Sequence, residues 1–295
     1  MKSPMWVASV CGLVLLAGRV SGSFFDISPA LPERVVQTKT IVVVKVLRIE
    51  KDTVTIKSAA SFKEDYKVAV VKVESTLKGD KERSEMRVGF AAPAAAKQKL
   101  PPGLDNLPEP PKLEKGQEAL LLLTPLQDSE LEVVSFRTDL VDKTSKSFEK
   151  DLKQVEQCIK LLDKPEDGLK AADAADRFLT ARLLIDKYRP NSGFSFAVPK
   201  KNKEVPIDAE ESKLILKALA EGDWKSKTTP AGGANELSAY DLFLILQVSK
   251  DDGFTMPKDP SKGAEAAKTW VKENVGKYRI KKFVDEEKKE GGKKK

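Results

Sequence analysis

Thr40 to Ile49 reads TIVVVKVLRI, and this stretch decides the fold of the first half of the chain. β-Branched residues crowd it, and they favour the pleated, half-buried surface of a sheet over a helix. Lys51 and Asp52 follow as a turn, and Thr53 to Ser58, TVTIKS, alternates in character. That alternation predicts a return strand paired with the first. Tyr66 to Thr76, YKVAVVKVEST, is a longer strand that places Val68 and Val70 on one face and Ala69, Val71 and Val73 on the other. Leu77-Lys78-Gly79-Asp80 closes it with a turn, and Glu85 to Phe90 adds a shorter strand.

Ala91 to Pro111 then breaks the pattern. Six prolines fall within it, and none suits a central strand, because proline cannot donate to the ladder. The stretch is expected to be a long, partly extended loop between strands. Leu113 to Gly116 reads as a turn, Gln117 to Thr124 (QEALLLLT) as a buried strand, and Leu131 to Phe136 as the last strand. Five or six strands without an intervening helix predict a barrel-like order.

From Ser145 the period changes. Phe148, Leu152, Val155, Ile159 and Leu162 recur at alternating spacings of four and three, the mark of an amphipathic helix. Cys158 lies beside that stripe and reads as a small buried hydrophobe. Pro165 and Gly168 separate a second helix, Leu169 to Tyr188, which carries Ala172, Ala175, Phe178, Leu179, Arg182, Leu183 and Ile185 and is stopped by Pro190. Asn191 to Val205 reads as a loop with Phe194 and Phe196 tucked against the helices. Asp208, with Glu211 three residues on, predicts a capped third helix that ends at Gly222. Leu237 to Val248, LSAYDLFLILQV, is nearly continuous apolar sequence, expected to be a central buried helix. Twelve residues rise about 18 Å, too little for a bilayer core of roughly 30 Å. A fifth helix starts at Ser261, with Ala264, Ala267, Trp270 and Val271 inward.

The two ends differ from the middle. Lys2, the apolar run Trp6 to Ala17, and the small residues Val20 and Gly22 before Ser23 follow the order of a secretory signal peptide. Cleavage is expected near Gly22/Ser23. At the other end, Lys281 to Lys295 reads KKFVDEEKKEGGKKK, a charge-rich stretch expected to be disordered.

Composition excludes several chemistries. The chain has no histidine, so Ser-His-Asp and Cys-His sites are ruled out within it. Its two cysteines are Cys11, inside the expected signal, and Cys158, so the mature chain has no internal disulfide. Absent bridges and absent Asn-x-Ser/Thr sites fit a bacterial envelope or secreted protein. The formal net charge is +7, of which Lys2 and Arg19 belong to the expected signal. Both signs are mixed along the rest, and no aromatic residues alternate with the lysines at nucleic-acid spacing.

Local motifs resolve to bland readings. Asp251-Asp252-Gly253 lacks the alternating acids and closing Glu of a calcium loop and reads as a turn. Ser75-x-x-Lys78 and Ser147-x-x-Lys150 match an acyl-transfer dyad but lack its companion segments. Asp173 and Asp176 lie one helical turn apart among alanines and Arg177, as on a solvated face. The sequence therefore predicts no catalytic residue, no cofactor and no metal ligand.

The segments TIVVVKVLRI, YKVAVVKVESTLKGD and LEKGQEALLLLTPL resemble the netrin-module and metalloproteinase-inhibitor (TIMP-like) type of OB barrel, over roughly Val35 to Phe136. The resemblance implies a barrel. It does not imply protease inhibition, since inhibitory members use a disulfide-held N-terminal cysteine and this half has none. The whole chain also resembles exported bacterial proteins of unknown function that join such a barrel to a helical half. The expected fold class is α+β. Residues 1–22 are the signal peptide, 23–140 an OB-like β-barrel domain with a proline-rich loop at 91–111, 145–280 an α-helical domain forming a small bundle, and 281–295 the lysine-rich tail. The expected function is an exported, non-enzymatic binding or interaction module of the bacterial cell envelope, secreted or periplasmic. Its expected partner is a protein or an envelope polymer, not nucleic acid, with no membrane span after cleavage. The alternatives are a surface protein held to anionic polymer by its basic tail, and a carboxylate-based enzyme acting on a glycan.

Overall fold

A computed structural model of the chain describes residues 29–57, 63–92, 111–126, 129–190, 203–225 and 237–284. The expected signal, most of the proline-rich loop, Phe194 and Phe196, and the tail beyond residue 284 lie outside the described residues. The fold is mixed α+β, with a closed five-strand barrel and seven α-helices among the described residues.

The chain enters through a short helix, α1 (Leu31–Gln37), started by Pro32 in its first turn. Then come β1 (Thr40–Ile49), β2 (Val54–Lys57), the sixteen-residue β3 (Lys63–Lys78), β4 (Glu85–Ala91), β5 (Glu118–Pro125) and β6 (Glu132–Val133). The hydrogen-bonded order β1-β3-β4-β6-β5 closes back on β1. All these pairings are antiparallel except β4 with β6. Register shifts along β1 and β3 bend the sheet toward closure. A short β7 (Leu140–Asp142) adds to β5 beyond a 3₁₀ turn at Arg137–Asp139.

Alternation explains the barrel. Val42, Val44 and Val46 of β1, and Ala119, Leu121 and Leu123 of β5, point into its interior with Val71, Val88 and Phe90. The opposite faces of the same strands, Ile41, Leu120 and Leu122, are also buried, because helices cover them. That double burial is why β5 reads as an unbroken apolar run.

The covering helices are α1 and α2 (Phe148–Asp163). Phe148, Val155, Cys158 and Leu161 of α2, and Val35 of α1, share one core with those strand residues and with Leu183. Leu183 belongs to α4 (Ala174–Tyr188), which follows the single-turn α3 (Pro165–Leu169). One residue on, Leu184 and Ile185 face the other way, into a second core. There they meet α5 (Ala209–Glu221), α6 (Ala239–Ile245) and α7 (Gly263–Asn274). Trp224, Phe243, Phe254, Trp270 and Tyr278 form a chain of tilted and edge-on ring contacts in and around that core, at centroid distances of 4.9–6.3 Å. α4 is thus the wall between two cores, one shared with the barrel.

Several expectations need correction. The 53–58 strand pairs with β3 and not with β1. The expected strand at 131–136 shrinks to the two residues of β6. The expected helix 169–188 is two elements, because Asp173 caps α4 afresh by accepting from the Ala175 amide. The twelve-residue helix at 237–248 is only seven residues long, stopped where Gln247 adopts φ +53°, and its Leu244 is 43% exposed. The tail begins as structure: β9 (Lys281–Val284) pairs with β8 (Lys203–Pro206), within what read as loop. α1 escaped the sequence reading altogether. No helix among the described residues is long and apolar enough to cross a membrane.

Candidate functional site

One end of the barrel carries an open cleft of about 590 Å³. Its wall is the turn Lys112–Gln117, the first residue of β5, and the end of β7 with Lys143 and Thr144. The turn is held at both ends. Leu113 plugs into the barrel interior, and the Gly116 amide donates to the Val46 carbonyl at 2.8 Å while Val46 returns a bond to the Gln117 carbonyl at 2.8 Å. Gly116 sits at φ +86°, where a side chain would be strained. The Gln117 side-chain oxygen also accepts from the Glu114 amide at 2.9 Å. Lysines and carboxylates are therefore presented on a stiff turn.

Ion pairs organise the cleft. Glu118 accepts from Lys143 at 2.6 Å and from Lys45 at 3.1 Å, one lysine on each carboxylate oxygen. Those two lysines, Lys143 foremost, hold the Glu118 carboxyl below the usual range, and Glu118 in turn raises Lys143. Asp142 accepts from the Thr144 hydroxyl at 2.5 Å, the Thr144 amide at 2.8 Å and the Gln117 amide group at 2.7 Å. These bonds, the Thr144 hydroxyl first, hold Asp142 low as well. Both carboxylates are thus ionised at neutral pH. Neither is poised to deliver a proton, which a glycan-cleaving acid must do.

The carboxyls that are pushed up lie elsewhere, inside the protein. Asp139 is raised by burial, although Arg34 of α1 bridges it at 2.8 Å. Asp186 of α4, 2% exposed, is raised by burial to about 7, and Glu33 of α1 is raised by burial too. None of the three lines the cleft.

The motifs singled out in the sequence stay apart from the cleft. Lys78 spends its ammonium on the Val35 and Val36 carbonyls at 2.7 and 3.3 Å, leaving Ser75 without a basic partner of its own dyad. The Ser147 hydroxyl meets Ser145 at 3.0 Å. Asp173 is a helix cap, and Asp176 accepts from Gln157 at 2.6 Å. Asp252 is tied to Lys281 at 2.7 Å beside the turn at Gly253, φ +81°. Cys158 is fully buried, and burial pushes its thiol up to about 11, the opposite of an activated nucleophile. Among the described residues no group of three or more acidic or cysteine side chains is placed to hold a metal.

Sequence reading missed the cleft because Leu113–Gly116 read only as a turn. The signal was the dense charge of Lys112, Glu114, Lys115 and Glu118 around one glycine. No family model matches the chain, and no curated protein matches it.

Proposed function

We propose that this protein is an exported, non-enzymatic interaction module of the bacterial cell envelope. In this reading an OB-type barrel, braced by a small carboxy-terminal bundle, presents its rim cleft to a protein or polymer partner. The strand order, with its single parallel pair, supports the OB type. The observation that carries the binding role is the state of the cleft's acids. Glu118 is paired with two lysines and Asp142 accepts hydrogen bonds from Thr144 and Gln117; both are held ionised, so the cleft offers fixed charge on a stiff turn rather than proton transfer. Its volume falls within the usual range of roughly 300–1,000 Å³ for ligand sites. Three lysines and three carboxylates line it, which suits a polar partner bearing both charges.

The same observation weighs against a carboxylate-based glycan enzyme. The reading in which a basic tail holds the protein to anionic polymer rests on lysines beyond residue 284, which lie outside the described residues.

The test is in-cell crosslinking and purification of the mature protein, beside the double variant Lys112→Glu, Lys115→Glu. A partner retained by the wild type and lost by the charge-reversed variant is the expected result. Turnover on a glycan panel that is abolished by Glu118→Gln would overturn the reading.

A further inference from the structure

Three buried charged side chains meet where α1 packs on α4, and the cleft uses none of them. Arg182 and Asp186 stand one turn apart on α4, with side chains 7% and 2% exposed. Their closest approach, Arg182 Nε to Asp186 Oδ2, is 3.8 Å, too long for a hydrogen bond. Asp186 Oδ2 is buried and has no hydrogen-bond partner among the described residues. Glu33 of α1, 7% exposed, accepts from Gln37 at 3.0 Å and lies within electrostatic reach of the same guanidinium.

We infer that the α1–α4 contact is a pH-responsive latch, in which Asp186 and Glu33 share the single Arg182 guanidinium and a second ionised carboxylate there loosens α1 from α4.

Among the described residues, the other cations near this seam are engaged elsewhere or exposed. Arg34, the buried cation of α1, is committed to Asp139 at 2.8 Å and to the Thr138 carbonyl. From α2 the titratable group beside Arg182 is Cys158, which is neutral. α5 meets α4 through Arg177–Glu221 and Tyr188–Glu211. α3 meets it where Gly168 lies against Thr180, and β9 where the Lys281 carbonyl accepts from Arg189. Lys187 is exposed, and Lys78 is engaged with the α1 carbonyls. Arg182 favours the Asp186 charge while burial and Glu33 oppose it, burial most of all.

The sign follows from that opposition. With α1 closed, Asp186 keeps its proton up to about pH 7. With α1 lifted and Asp186 in water, it loses that proton near its ordinary value of about 3.9. Opening therefore releases a proton between these two values. The closed form is fully favoured at acidic pH, loses ground as pH rises toward 7, and loses nothing further above it.

Hydrogen exchange of the α1 amides in the full chain, corrected for intrinsic rate, reads this directly. Protection is expected to fall by up to about tenfold per pH unit from pH 5 to 7 and to level off above. Asp186→Asn should flatten the profile, and Glu33→Gln should move its levelling-off to lower pH. Protection in the wild type that does not change with pH would overturn the latch. So would the same slope persisting in Asp186→Asn. If Asp186→Asn does not fold, an unshifted profile in Glu33→Gln is equally decisive.

Discussion

Leu183→Ala tests whether the barrel and the helices are one cooperative body. Leu183 is 0% exposed and belongs to the core that holds Ile41, Leu120 and Leu122 of the barrel and Val155 and Leu161 of α2. It sits on the wall helix α4, next to Leu184, which is in the helical core. Truncation leaves a cavity at the junction, and such changes cost about 2–5 kcal/mol. Against a usual total of about 5–15 kcal/mol, that is a large fraction. If the junction is shared, both halves must weaken together. Two probes separate them. Trp224 and Trp270 lie in the helical core, so their fluorescence reports that half, the third tryptophan being Trp6 near the start of the chain. Hydrogen exchange of β1, β3 and β5 amides reports the barrel. We expect denaturant midpoints from both probes to fall together in Leu183→Ala. Wild-type protection in the barrel strands, with only the tryptophan transition displaced, would refute the shared-core argument.

Two further perturbations follow from buried groups. Arg189, 2% exposed, donates to the carbonyls of Ile245 and Lys281, each at 2.9 Å, and to Glu204 and Gln247, each at 3.0 Å, with its guanidinium 4.2 Å from the Phe283 ring centre. Arg189→Leu should cost about 3 kcal/mol or more by stranding those carbonyls, with exchange rising first in β8 and β9; unchanged exchange there would remove Arg189 as the tie between the strands and α6. Cys158→Ala should cost about 1 kcal/mol or a little more, and native Cys158 should label slowly with thiol reagents at neutral pH. Rapid stoichiometric labelling would contradict its burial.

How far the sequence reveals this protein depends on where each element draws its stability. TIVVVKVLRI and QEALLLLT were legible because strand character and burial coincide in them. The pairing of β2 was not, since TVTIKS alternates equally well against β1 or β3 and only tertiary packing chooses. α1 spans seven residues, too few for a periodic stripe, and burial against α2 and α4 stabilises it more than intrinsic propensity does. β8 and β9 were hidden because their partners lie about eighty residues apart, and charge made 281–284 look like tail. The cleft was legible only as a turn, since its ion pairs join Lys45 in the middle of β1, Glu118 at the start of β5 and Lys143 just past β7.

α4 shows most sharply what a one-dimensional pattern can carry. An amphipathic helix announces itself by one apolar stripe, but α4 is buried from Thr180 to Asp186 on every side. Its Leu183 serves the barrel-side core, its Leu184 and Ile185 the helical core, and its Arg182 and Asp186 the seam with α1. Arg182 stands among Phe178, Leu179, Leu183 and Ile185 in the predicted helix 169–188. A long cation there must find a carboxylate or cost several kcal/mol. The sequence shows that requirement at Arg182. It does not show that two carboxylates answer it, because Glu33 arrives from a helix about 150 residues earlier whose existence the sequence conceals.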